Sequence, residues 1–150
     1  MKKAKASWRN ILVPVDGSPP SRRAVVQAAA LARKLKAGIT ALHVITPFEA
    51  HAFGEALPPV ITYADFEKHA KQASGKILSR ARKAAAGTAC LCRTAWDVSA
   101  ADAIVKAARR DHCDLIVMGS HGRRGLERML LGSVTQKVLA ESRIPVLICR

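Results

Sequence analysis

Aromatic side chains are scarce in this sequence, where Phe, Trp and Tyr together account for only six of the 150 residues. Apolar residues nevertheless make up 49% of the chain, so the core has to be built from Ala, Val, Leu and Ile. A core of that kind is typical of sheets that helices cover on both faces. The shortage of aromatics also disfavours a groove for single-stranded nucleic acid, since such grooves stack bases on aromatic side chains.

Acidic side chains are the second shortage, with 11 Asp and Glu against 25 Lys and Arg and a formal net charge of +14. Such a balance raises the affinity for polyanions, although it says nothing about the fold. The cations lie in a basic tail at residues 1–8 and at spacings typical of the outer faces of several helices. We interpret them mainly as solvated helix faces, with nucleic-acid binding as an alternative that this pattern does not favour.

Long apolar runs are absent as well, because no stretch approaches the ~18 residues of a membrane span and the N-terminus has no apolar signal region. The four cysteines match no common zinc spacing; they are Cys90, Cys92, Cys113 and Cys149. We therefore expect a soluble cytoplasmic protein with reduced thiols, no membrane contact and no metal site made by the protein alone.

Two common nucleotide-binding motifs are missing too. The sequence contains neither G-x-x-x-x-G-K-[ST] nor a G-x-G-x-x-G that opens its first helix. A phosphate-binding P-loop lysine and the usual dinucleotide fingerprint are thereby excluded, so any nucleotide site has to be built from other residues.

What the chain does contain is a regular alternation of short apolar runs with helical patterns. Strands are predicted at residues 11–15, 39–45, 89–96, 114–118 and 144–149. Helices are predicted at residues 21–36, 63–86 and 99–111 and after Gly132, with Gly38 as the residue that follows the end of the first helix. This order predicts one α/β domain over residues 1–150 with an open parallel sheet and a long variable loop at residues 46–62.

A glycine-rich stretch at residues 114–134 carries the strongest functional signal. An apolar strand runs into Gly119-Ser120-His121-Gly122 and, nine residues later, the chain reaches Gly132-Ser133. Glycines at such turns indicate unusual backbone dihedrals or the close approach of another group to the main chain. A strand that leads through a glycine turn into a helix also presents unpaired N–H groups to an anion. We therefore predict that this stretch holds phosphates.

Asp16 follows the first strand, and ligands of open α/β sheets bind beyond the carboxyl ends of strands. If the first and fourth strands are neighbours, Asp16 and the glycine loop share one crevice. A carboxylate beside phosphates would there bind a ribose hydroxyl, a base amine or a bridging Mg²⁺. The alternative is a purely structural role as a helix N-cap or a turn acid.

The sequence resembles the universal stress protein family over its whole length. The nucleotide-binding branch of that family carries G-x-x-G, nine residues and G-[ST], which this chain matches from Gly119 to Ser133. V-D-x-S at residues 15–18, H-V at residues 43–44 and the closing P-V-L match as well. The resemblance implies a Rossmann-like fold, similar to that of adenine nucleotide alpha hydrolases, with helices on both faces of five parallel strands in the order 3-2-1-4-5.

The resemblance also implies an ATP site, and a Mg²⁺ ion that accompanies the nucleotide is one of the partners open to Asp16. Its adenosine side would be formed by Pro14, Val15, Asp16, Val44, Met118 and Gly119. Its phosphate side would be formed by Ser120, His121, Gly122, Arg123, Gly132, Ser133, Val134 and Thr135. Members of the family usually form homodimers through the last strand, which here contains Val146, Leu147 and Ile148.

The function implied by this resemblance is that of a regulatory stress-response module, which binds ATP with little or no hydrolysis. No catalytic residue is predicted, because the sequence offers no general base placed for an attacking water, and we interpret His121 as a polar loop contact. One alternative is a nucleotide-free dimeric interaction protein of the same fold, which the intact glycines disfavour. The other is polyanion binding driven by the net charge, with an affinity that falls steeply with salt.

Overall fold

Five strands and four helices make up the parts of the chain that the computed structural model describes, residues 8–47, 62–122 and 131–150. The strands are β1 Asn10–Pro14, β2 Gly38–Ile45, β3 Cys90–Trp96, β4 Leu115–Gly119 and β5 Val146–Cys149. The helices are α1 Pro19–Leu35, α2 Tyr63–Ala84, α3 Ala100–Arg110 and α4 Ser133–Glu141. Residues 1–7 of the predicted basic tail, residues 48–61 of the predicted loop, and Arg123 lie outside the described residues.

All five strands are parallel and follow the order β3-β2-β1-β4-β5, which confirms the predicted sheet. β1 lies in the middle, paired with β2 on one side and with β4 on the other. The chain therefore proceeds from β1 outward in one direction before it crosses to the other half of the sheet. In open α/β sheets such a reversal of strand order creates a crevice at the carboxyl ends of the two central strands.

Each face of the sheet has its own hydrophobic core. Side chains alternate along β1, so Ile11 packs with residues of α1 and α2, whereas Leu12 packs with residues of α3 and α4. Where α1 meets the sheet it uses small side chains, and Ala24 and Ala28 are fully buried there. The helix can consequently lie close to the sheet without aromatic residues, and helices cover both faces as the composition predicts.

α1 differs from the prediction at both ends. It begins two residues early, because Ser18 is its N-cap and accepts a hydrogen bond from the N–H of Ser21. The prediction that Gly38 follows its end is wrong, since Lys36 is the C-cap and adopts the left-handed conformation at φ 56°. Gly38 instead starts β2 and pairs with β1. The left-handed backbone at Lys36 costs conformational energy. The pairing of β2 with β1, which begins only two residues later, compensates for that cost.

α2 carries a capping box that the sequence analysis did not predict. Thr62 Oγ1 accepts a hydrogen bond from the N–H of Asp65, and Asp65 Oδ2 accepts one from the N–H of Thr62, both at 3.2 Å. The hydroxyl of Thr62, which donates to Asp65 Oδ2 at 2.7 Å, and then the N–H of Thr62 lower the pKa of the Asp65 carboxyl. Like the other helices within the described ranges, α2 is not apolar enough over a sufficient length to cross a membrane.

Candidate functional site

The ends of β1 and β4 bring Asp16 and the glycine loop together. β1 and β4 are directly paired, with Ile11 opposite Leu115. Beyond their ends, Asp16 Oδ2 lies 2.8 Å from the point that a Cβ atom on Gly122 would occupy. Residues separated by about a hundred positions in the chain thus form the two walls of one narrow crevice.

Asp16 also shapes the turn between β1 and α1. Its Oδ1 accepts a hydrogen bond from the N–H of Ser18 at 2.9 Å. Gly17 between them has φ 83°, a conformation that glycine adopts without the steric cost of a side chain. One carboxylate oxygen therefore makes the turn that the structural alternative requires, while the other faces Gly122.

Hydrogen bonds fix the two ends of the glycine loop to the sheet and to each other. The N–H of Ser120 donates to the carbonyl of Cys149 at 2.9 Å, and the N–H of Gly132 donates to the carbonyl of Ser120 at 2.7 Å. The hydroxyl of Thr135 donates to the carbonyl of Gly119 at 3.1 Å. The start of α4 is thereby held directly against the end of β4.

Close approach within the protein itself accounts for the three glycines of the motif. A Cβ on Gly119 would lie 2.9 Å from Pro20, and one on Gly132 would lie 3.3 Å from the Cα of His121. Together with the contact between Gly122 and Asp16, these distances explain the glycines without unusual dihedrals. The sequence could not indicate the contact with Pro20, because nothing local links residues so far apart in the chain.

α4 begins at Gly132, which lies beside His121 and Gly122 of the glycine loop. Gly132 is its N-cap and offers no side chain, so in the described parts of the chain no side-chain hydrogen bond caps the helix. The N–H of Gln136 donates to the carbonyl of Gly132 at 2.9 Å, which makes it the first N–H bonded within the helix. The preceding N–H groups, at Ser133 and Val134, belong to the end of the helix that favours an anion.

Residues predicted for the adenosine side lie at the carboxyl ends of three adjacent strands. The pairing of β1 with β2 ends at Pro14 opposite Leu42, and β2 continues through Val44. Met118 is near the end of β4 on the other side of β1. The side chains of Val44 and Met118 both pack in the core on the α3 and α4 side of the sheet.

His121 and Ser120 are hydrogen-bonded neighbours within the loop. His121 Nδ1 lies 3.0 Å from Ser120 Oγ, and Ser120 is buried. The thiol of Cys149 lies in the strand that anchors Ser120, and burial raises its pKa, so it stays protonated at neutral pH and is a poor nucleophile.

Metal-binding side chains do not cluster in the ranges that the structure describes. No three His, Cys, Asp or Glu side chains come together there in a group that could hold a metal ion. Asp16 is the carboxylate at the crevice, and its two oxygens face the turn of α1 and the glycine loop.

Comparison of the sequence with known proteins identifies a single family over almost the whole chain. The model of the universal stress protein family matches residues 7–150. A universal stress protein of Bacillus subtilis is 33% identical over 147 residues, which cover 95% of this chain and 99% of the relative. A universal stress protein of Methanocaldococcus jannaschii is 31% identical over 146 residues, which cover 95% of this chain and 82% of the relative.

Solved structures agree with the sequence matches. Protein MJ0577, a universal stress protein of Methanocaldococcus jannaschii, superposes with a TM-score of 0.77 at 28% identity, covering 96% of both chains. A universal stress protein in complex with cAMP superposes with a TM-score of 0.66 at 27% identity, covering 97% of this chain and 98% of the other.

Proposed function

We propose that this chain, which belongs to the universal stress protein family, binds ATP in the crevice between the ends of β1 and β4. The observation that carries the proposal is the meeting of Asp16 with Gly122 beside the uncapped start of α4. A carboxylate suited to ribose and a helix terminus suited to phosphate therefore lie on the two sides of one loop. The cAMP complex of a structurally similar protein supports an adenine nucleotide as the ligand class.

The adenosine end of the ligand would lie at the carboxyl ends of β1, β2 and β4. In the proposal, adenine packs against Val15 and the main chain of Val44, and the ribose lies beside Met118 and Gly119. The Asp16 carboxylate accepts a hydrogen bond from a ribose hydroxyl. Such a charge-assisted bond contributes about 1.5–3 kcal/mol when it is sheltered from water.

The phosphates would lie over the glycine loop and the first turn of α4. Main-chain N–H groups at Ser133 and Val134, and the Ser133 hydroxyl, supply donors there without a lysine. We also assign Ser120, His121 and Thr135 to this end, together with Arg123, whose guanidinium would neutralise phosphate charge. Mg²⁺ bound with the nucleotide would be held by phosphate oxygens and the Asp16 carboxylate, a donor set that suits this ion.

Binding with little hydrolysis fits this arrangement better than rapid turnover does. The proposed contacts grip the nucleotide through main-chain donors, and none of them orients an attacking water. Fast phosphoryl transfer requires such a group together with charge stabilisation in line with the leaving oxygen. We therefore assign the protein a regulatory role in the cytoplasm during stress, in which the bound nucleotide is the signal.

We further propose that a second copy of the chain covers the edge of the sheet at β5. That strand is the last in the sheet order, so one side of it is paired with β4 and the other forms an edge. Leu147 is 44% exposed on this strand, between Val146 and Ile148. An apolar edge strand is a template for pairing with another chain, and a homodimer would remove it from water.

Two glycine variants test the nucleotide site. Gly122→Ala would place a methyl group against Asp16 Oδ2, so the carboxylate has to move from the position in which its Oδ1 accepts a hydrogen bond from the N–H of Ser18. We expect ATP affinity, measured by isothermal titration calorimetry, to fall about tenfold or more. Gly38→Ala is the matched control, since its Cβ would meet only the Ala89 carbonyl at 4.0 Å.

The wild-type protein, purified without added nucleotide and then denatured, should also release an adenine nucleotide. An empty wild-type protein that binds ATP no better than Gly122→Ala does would contradict the proposal. That outcome would favour the nucleotide-free dimeric interaction protein instead.

A further inference from the structure

The positive charge of the molecule is concentrated on one face of the sheet. α1 and α2 together carry ten Lys and Arg and two acids, whereas α3 and α4 carry four Lys and Arg and two acids. All ten cations on the α1 and α2 side are exposed; they are Arg22, Arg23, Arg33, Lys34, Lys68, Lys71, Lys76, Arg80, Arg82 and Lys83. α1 and α2 thus carry a net charge of +8, whereas α3 and α4 carry a net charge of +2.

The two faces also differ in how their cations are paired. On α3 and α4, Lys106 pairs with Asp97 at 3.0 Å and Arg110 with Asp111 at 2.9 Å, and Lys137 pairs with Asp102 at 2.8 Å and with Glu141 at 3.8 Å. Among the described residues of α1 and α2, only Lys71 has an ion pair, with Glu67. Cations without acidic partners keep their full attraction for an external anion.

Gly75 lies at the centre of this basic surface without a structural reason for being glycine. It is in the middle of α2, where glycine costs about 1 kcal/mol relative to alanine. A Cβ at this position would meet nothing within 4 Å, so packing does not exclude a side chain. The missing side chain instead leaves a shallow groove on the helix, lined by Gln72, Gly75, Lys76, Ser79, Arg80 and Lys83. We call this surface the Gly75 face.

The Gly75 face is continuous with α1 and separate from the crevice. Arg33 in the last turn of α1 donates to the carbonyl of Ala86 at 3.3 Å, which places Arg33 beside the end of α2. From there the chain passes to Ala89, whose carbonyl accepts from the N–H of Ile39 at the start of β2. The basic half of α2 therefore leads to the amino ends of the strands, and the crevice lies at their carboxyl ends.

We propose that the Gly75 face binds the phosphate backbone of double-stranded nucleic acid. From Gln72 to Lys83 it extends about 16 Å along the helix axis, and glycine at its centre lets a phosphate backbone come close to the helix. Exposed lysine, arginine, serine and glutamine side chains are the groups that contact phosphate and sugar without reading sequence. Binding of this kind has little base preference and depends steeply on salt.

Two other polyanions fit this surface less well. Single strands are held by aromatic stacking, and Tyr63 at the start of α2 is the one exposed aromatic on the described parts of α1 and α2. Helices that bind membranes lay an apolar face into the lipid, but the apolar faces of α1 and α2 are buried against the sheet. A rigid duplex with dense phosphates matches the observed surface best.

Two triple variants of equal net charge test the proposal. Lys76→Gln, Arg80→Gln and Lys83→Gln together remove the cations of the Gly75 face, whereas Lys106→Gln, Arg109→Gln and Arg110→Gln remove three cations from α3. Fluorescence anisotropy with a labelled duplex of about 30 base pairs measures affinity across a salt series. We expect the first triple to bind about tenfold or more weakly at moderate salt and to lower the slope of log K against log salt by about 3.

The α3 triple should bind the duplex as the wild type does to within about threefold. The single variants Arg80→Gln and Arg109→Gln repeat the comparison if either triple unfolds. Gly75→Ala adds an independent readout, because it should raise the melting temperature while it weakens duplex binding. Equal losses in both triples, no duplex binding by the wild type, or preferential binding to phosphatidylserine vesicles would each overturn the proposal.

Discussion

α1 and α4 begin at the same edge of the sheet, but their first turns are built in opposite ways. α1 starts with Pro19 and Pro20, which have no N–H, and Ser18 Oγ accepts the N–H of Ser21 at 3.3 Å. α4 starts after Gly132, which provides no capping side chain. The donors at the start of α1 are therefore absent or already used, whereas no side chain in the described parts of the chain caps the start of α4.

The comparison indicates that only one of two helix N-termini beside the same proposed site need bind the ligand. Both helix dipoles favour negative charge at this edge, but among the described residues a side chain caps α1 and none caps α4. The start of α1 serves packing instead, because Pro20 lies against Gly119 at a distance that leaves no room for a side chain. In the proposed site, the start of α1 packs against the glycine loop, and the start of α4 binds the phosphates.

The strongest test of this comparison is to place a proline, which has no N–H, at the start of α4, as in α1. Ser133→Pro places proline at the first helical position, where the helix does not need its N–H, and Gly132 already has the extended ψ of 159° that precedes proline well. We expect ATP affinity to fall about 10–100-fold from the loss of a donor to a charged group. Calorimetric titration measures the loss, and the melting temperature should change little.

Pro19→Ala is the reverse exchange, which returns an N–H to the first turn of α1. We expect no gain in ATP affinity, because the crevice side of α1 is closed by its contact with Gly119. An unchanged affinity in Ser133→Pro, or a gain in Pro19→Ala, would show that the phosphates do not bind at the start of α4.

A smaller effect should follow from removing the cap of α1. Ser18→Ala leaves the N–H of Ser21 without its acceptor and should lower the free energy of unfolding by about 1 kcal/mol. The Ser18 hydroxyl accepts a hydrogen bond from α1 and donates none to the proposed ATP site. The affinity for ATP should therefore stay within about twofold of wild type. Urea denaturation followed by circular dichroism measures the stability, and a large affinity loss at unchanged stability would contradict the division of roles.

The smallest effect concerns the contacts that hold α4 in place. Lys137 of α4 donates to Ser99 Oγ at 3.1 Å and pairs with Asp102 of α3. Its hydrogen bond lowers the pKa of the Asp102 carboxyl below the ordinary 3.8. The stabilisation is therefore present above pH 3.8 and is lost as the pH falls through the lowered pKa.

Asp102→Asn should accordingly lower the melting temperature slightly at neutral pH, and the difference from wild type should disappear in more acidic solution. Differential scanning calorimetry over a pH series measures this. A difference that persists after Asp102 is protonated would show that the ion pair is not its cause.

Much of this molecule follows from local sequence patterns, and the remainder depends on contacts between distant residues. Apolar runs and helix caps placed the boundaries of the five strands and of α1, α2 and α3, and the start of α4, within two residues, and the resemblance to a family supplied the strand order. The left-handed Lys36 could not be predicted, because it depends on where β2 must pair. The contact of Gly119 with Pro20 could not be predicted either, and it changes why the glycine is there. The roles of the site residues, including Arg123, stay predictions.

The hydrogen bond from the N–H of Gly132 to the carbonyl of Ser120 fixes where the segment between them starts and ends. It joins the two ends of the segment at residues 121–131, and Thr135 holds the same point from the next turn of α4. The positions of these ends are thus set by the sheet and α4, whatever the length of chain between them. Doubling that length would cost only about 0.6 kcal/mol in closure entropy. We therefore expect insertions between these ends to leave the geometry of the proposed phosphate site unchanged.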